Sequence, residues 1–155
     1  MAIPVASVAV SVNPQEPPDD IKAYVSDVYD LLGLSGWDVA VKMVDALPFD
    51  ADDDSPGSYG ECPARTRYRE PYRIATVELV RGRTMPEYRE SIMHELLHLA
   101  LSPMTSAGDQ VAALLEPRQE QAALRIHSDA EERVISHLAK MLVRGVKPSA
   151  PSPEA

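Results

Sequence analysis

The chain is predicted to form an α+β domain in which a small mixed sheet packs on a buried central helix and a long C-terminal helix. Three observations carry this. Residues 37–44 alternate apolar and polar side chains, and residues 72–80 are β-branched, aromatic and weakly polar, as strands are. Residues 84–102 (TMPEYRESIMHELLHLALS) lie between helix start and stop signals and are apolar around most of their circumference, the mark of a buried helix. Residues 118–144 repeat apolar side chains with a helical period.

Composition bounds the rest. A chain of 155 residues, 45% hydrophobic, can bury one real core. A formal charge of −9 and a pI near 4.8 argue against non-specific binding to nucleic acid or to an anionic membrane, and suit neutral or basic protein substrates. Cys62 is the single cysteine, so no internal disulfide forms. No apolar run spans a bilayer, and the N-terminus lacks the basic and apolar regions of a secretory signal, so the expected location is cytoplasmic.

Taken in order, residues 1–18 form an arm or an extra strand: residues 3–12 (IPVASVAVSV) alternate, and a polar, proline-rich break follows. The domain proper spans 19–145. Asp19 or Asp20 caps a helix with Ile21, Tyr24, Val25, Val28, Leu31 and Leu32 on its apolar face, stopped by Gly33. In the strand at 37–44, Trp37, Val39, Val41 and Met43 face one way, and Asp38, Ala40 and Lys42 the other. The aspartates of residues 50–57 lack the spacing of a Ca²⁺ loop and read as a solvated acidic loop. Residues 58–69 are poorly patterned, with a strand possible, and Cys62 beside Pro63 reads as a free thiol. The strand at 72–80, if it lies at the sheet edge, could take an extended peptide by β-addition. After the central helix ends at Ser102, before Pro103, a helical piece at 109–115 and a long helix at 118–144 follow. Residues 146–155, rich in proline and serine, form a disordered tail.

The chemistry sits in the central helix. Thr84 and Glu87 form a capping box, and Pro86 falls in the first turn, where its missing N–H costs nothing. Further along, His94-Glu95-Leu96-Leu97-His98 is an H-E-x-x-H motif. Two histidines four residues apart project from one helix face and can share one Zn²⁺, and Glu95 beside them can accept a proton from water. The alternative is a pair of ordinary core histidines around a chance match, but polar groups on a buried helix are costly without a partner.

A catalytic zinc site takes three protein ligands and keeps an open position. On a helical wheel of 118–144, Leu124, Val134, Ile135, Leu138, Met141 and Leu142 define an apolar stripe. Glu131 falls in its centre and Glu132 on its flank, so Glu131 is chosen as third ligand, with Glu132 as the alternative if the stripe is misplaced. His127, one turn before Glu131, reads as a core histidine, His137 as exposed, and Ser91 carries no role.

The motif, followed 33 positions after His98 by a glutamate in AEERVISHLAKML, resembles the zincin metallopeptidases, and most the glutamate-liganded gluzincins in a minimal form, loosely like the small phage and bacterial ImmA/IrrE-type proteins. The resemblance covers residues 19–143 and implies a zincin-like fold with zinc held by His94, His98 and Glu131. It implies hydrolysis of peptide or protein substrates with Glu95 as general base. The metzincin branch does not fit, since Leu101 and Met104 stand where it needs Gly and His. No downstream His or Tyr stands out as oxyanion donor. Two other classes compete: a weak or inactive metal-stabilised regulatory module on the same fold, and a helical adaptor without metal.

Overall fold

A computed structural model describes residues 15–47 and 63–146. The readings on residues 3–12, the aspartate loop, Cys62 and the tail lie outside these. The described residues form α1 (Asp19–Leu31), β1 (Asp38–Val44), β2 (Ala64–Arg69), a 3-10 turn (Glu70–Tyr72), β3 (Ile74–Val80), α2 (Met85–Ala112) and α3 (Pro117–Val143). The class is α+β, as expected.

The sheet has the order β1-β3-β2, with β1 parallel and β2 antiparallel to β3. Alternation places its faces. Val39, Val41 and Met43 turn inward from β1, and Ala75, Val77 and Leu79 from β3, while Asp38, Ala40 and Lys42 stay exposed. Those inner residues share one core with Ile21, Tyr24 and Val28 of α1 and with Ile92, Met93, Leu96 and Leu99 of α2. Gln15 pairs with Met43 in an antiparallel bridge, which ties the end of the N-terminal arm to β1. Pro18 stands at the N-cap of α1, with Asp19 and Asp20 in the first turn rather than capping it.

Three expectations are corrected. The strand at 72–80 begins at Ile74, because Glu70–Tyr72 make a turn and Arg73 closes it in the left-handed region at φ 49°. Strand β3 is also central. Both of its edges are already hydrogen-bonded, so it cannot add a peptide; among the described residues β2 is the edge beside α2, which Thr66 Oγ1 reaches by donating to the Glu95 carbonyl at 3.3 Å. Finally, α2 does not stop at Ser102. It runs through Pro103 to Ala112, absorbing the segment expected as a separate helix. Proline disfavours but does not forbid helix, at the cost of the hydrogen bond to the Leu99 carbonyl. Packing of α3 along the far half of α2 compensates: His127 lies on Gly108, which leaves no room for a Cβ, and faces the Thr105 carbonyl at 3.4 Å.

The start of α2 is as read. Glu87 accepts from the Thr84 N–H at 2.7 Å in a capping box. On α3, Ile135 and Ala139 are buried and Leu124, Leu138 and Leu142 partly so, but Val134 and Met141 are 52% and 58% exposed. The buried stripe is narrower than the wheel suggested, because α2 is its main neighbour among the described residues. Truncating Ile135 to Ala should therefore cost roughly 2–5 kcal/mol, and Val134 to Ala under about 0.5. Chemical denaturation of the two variants measures the difference.

Candidate metal centre

The polar cluster forms where the middle of α2 faces the middle of α3. His94 and His98 stand one turn apart, and their Nε2 atoms lie 3.3 Å from each other. The Glu132 carboxylate closes the triangle, with Oε2 3.3 Å from His94 Nε2 and Oε1 3.2 Å from His98 Nε2. These ligand atoms all lie within 4.8 Å of one another, and the cluster could hold a metal ion.

The donor set fits one. Ligand atoms at ~2.0–2.1 Å from a tetrahedral ion stand about 3.3 Å apart, the spacing found here. Two imidazole nitrogens and a carboxylate suit a borderline divalent ion better than Ca²⁺ or Mg²⁺, which favour all-oxygen sites. Facing Nε2 lone pairs at this distance repel unless a proton or a cation sits between them.

Glu131, expected as third ligand, is not on this triangle. It does lie in the buried stripe, its side chain 14% exposed, but it faces the other nitrogen of the ring: Oε1 is 3.4 Å from His98 Nδ1 and accepts from Thr105 Oγ1 at 2.8 Å. A carboxylate at Nδ1 favours the tautomer that carries its proton there and leaves the Nε2 lone pair for a metal. The correction has a geometric cause. The stripe centre is the closed seam between two helices, whereas a site that water can reach must open at the flank. Glu132 is on that flank, its side chain 52% exposed.

Glu95 is buried, at 7% exposure. One residue from His94 and one turn from His98, it sits where its charge is felt by the His98 ring. His127 is half-buried and faces the Thr105 carbonyl, and His137 is exposed. Thr105 and Tyr68 were missed. Thr105 follows His98 by seven residues, so it shares the histidine face, but only on a helix continued past Pro103. Tyr68, near the end of β2, has its phenol pushed up by burial and by the charges of Glu131, Glu70 and Asp109. No local pattern marked it.

The carboxylate and the rings shift one another's titration in opposite directions. Hydrogen bonds from His94 and His98 hold the Glu132 carboxyl far below the usual range. Burial pushes the His98 imidazole down, but its hydrogen bond to Glu132 and the charges of Glu132, Glu95 and Glu131 outweigh this, and the net shift is upward. The lowered carboxyl stabilises the fold above its ordinary 4.5, and the raised imidazole stabilises it below its ordinary 6.5.

No family model, curated protein or solved structure matches the chain. No helix among the described residues is long and apolar enough to cross a membrane.

Two measurements check the site. Thermal melts of chelator-treated protein across pH should show a maximum between 4.5 and 6.5. Added Zn²⁺ should raise the melting temperature most at alkaline pH, beyond the raised pKa of His98, where it displaces no proton from the ring. Competitive chelator titration should rank the carboxylates: Glu132→Gln abolishes tight binding, while Glu131→Gln weakens it about 10–100-fold.

Proposed function

We propose that this chain is a zinc-dependent peptidase of the zincin type, with His94, His98 and Glu132 as the ligands and Glu95 as the general base. One observation carries the reading: the two motif histidines and a carboxylate from another helix converge at tetrahedral spacing beside a buried glutamate. That is more than the five-residue motif alone requires. The half-exposed Glu132 leaves an approach from solvent, which suits a catalytic site rather than a closed structural one.

Zinc in this position would supply Lewis acidity, polarising the scissile carbonyl and making water acidic enough to attack near neutral pH. The rest falls to the chain. Water adds across the peptide bond, its oxygen to the carbonyl carbon. Glu95 takes one proton and delivers it to the departing amine nitrogen, so the carboxylate is regenerated each turnover. Burial keeps Glu95 from being shielded by water. Glu131 and Thr105 hold the His98 ring in its orientation. The β2 edge, hydrogen-bonded to the Glu95 turn through Thr66, is the place for an extended substrate.

Glu95→Gln is the direct test. The amide is isosteric but cannot accept the proton, so cleavage of a casein-derived peptide mixture by the zinc-loaded protein should fall at least about 100-fold. Elemental analysis should still find one zinc per chain in the variant. Undiminished cleavage at unchanged zinc content rules out this base. Bound zinc with no cleavage by either protein supports the metal-stabilised regulatory module instead.

A further inference from the structure

Strand β2 reads Ala-Arg-Thr-Arg-Tyr-Arg from Ala64 to Arg69. Its register with β3 sets Ala64, Thr66 and Tyr68 opposite Leu79, Val77 and Ala75 on the helix side of the sheet. Arg65, Arg67 and Arg69 fall opposite Glu78, Thr76 and Ile74 on the outer side. Among the described residues, Glu78 is the carboxylate that reaches this row. Glu78 is 2.8 Å from the Arg65 guanidinium and 3.9 Å from that of Arg67. The Arg65–Glu78 pair is nearly covered, each side chain under one-fifth exposed, whereas Arg67 is 56% exposed. Arg69 is exposed and makes no ion pair among the described residues.

A strand laid on the β2 edge cannot avoid these cations. Directly opposed side chains on one face of a sheet stand about 5 Å apart at Cβ, so every second residue of an added peptide lies beside Arg67 or Arg69. Opposite charges there are favourable and like charges unfavourable, and guanidinium takes carboxylate bidentately. The helix-side alternation ties the same edge to the metal centre through Thr66 and Glu95.

We propose that the substrate strand is acidic: an extended peptide with Asp or Glu at two alternate positions, paired with Arg67 and Arg69. This rests on the peptidase reading for its choice of β2 as the substrate edge. The net charge of −9 argues for neutral or basic partners in general. It acts at long range and is screened, while these contacts act within a few ångströms. The same net charge disfavours nucleic acid as the polyanion on this row.

Fluorescence anisotropy of the zinc-loaded Glu95→Gln protein tests it, using labelled octapeptides that alternate Thr with Glu, Gln or Lys, and a labelled single-stranded DNA. The Glu peptide should bind on the order of tenfold more tightly than the Gln peptide, and the Lys peptide more weakly than either. The preference should vanish in Arg67→Gln/Arg69→Gln and invert in Arg67→Glu/Arg69→Glu, with circular dichroism confirming that both fold. Equal affinities, binding of none of the peptides, or a preference that survives both variants overturns the proposal. So does DNA binding that depends on the same two arginines, which assigns the row to nucleic acid. Selective binding of the Glu peptide by a wild-type protein that cleaves nothing upholds the acidic site and overturns only the peptidase reading.

Discussion

Two imidazole nitrogens 3.3 Å apart, with a carboxylate spanning both, cannot rest together without a proton or a cation between them. Much of the architecture follows from that demand. The histidines lie in the middle of α2 among the buried Ile92, Met93, Leu96 and Leu97, and are themselves largely covered. The carboxylate comes from α3, so whatever satisfies the cluster also joins the last helix to the middle one. A proton between the rings meets the demand in part. A divalent ion meets it fully, and binding then becomes stability of the α2–α3 contact.

Consecutive glutamates on α3 divide the work. Residues 131 and 132 stand about 100° apart round the helix, which lets them bracket one ring. Glu132 addresses Nε2 from the open flank, and Glu131 addresses Nδ1 from the closed seam, where Thr105 fixes it. Exchanging their roles would bury the metal position between helices and leave the orienting carboxylate in water. The continuation of α2 past Pro103 matters for the same reason, since Thr105 exists as a partner only if that turn is helical.

The sheet is small, and its order decides which strand lies beside the motif helix. With β3 in the middle, β2 is, among the described residues, the edge that lies on the motif helix, and its alternation gives that edge a cationic outer row in an otherwise acidic protein. Net charge and local charge thus differ in sign at this edge. Over a few ångströms the local row governs, because screening has no room to act.

Local signals were strong enough to read in several places. The capping box at Thr84 and Glu87, the alternation of 37–44, the period of α1 and the same-face histidines all arise from interactions between residues a few positions apart, which a sequence displays directly. Helix through Pro103, the central position of β3, the weakly patterned β2 and the choice of Glu132 do not. Each depends on which distant segment packs alongside: α3 against Gly108, two strands against β3, the open flank of α2 against Glu132. The sequence by itself determined that two histidines share a buried helix face and that a glutamate from the last helix must approach them. Only the tertiary structure decided which glutamate faces the shared nitrogens, because that depends on how two helices are rotated about each other, a matter of packing between residues more than thirty positions apart.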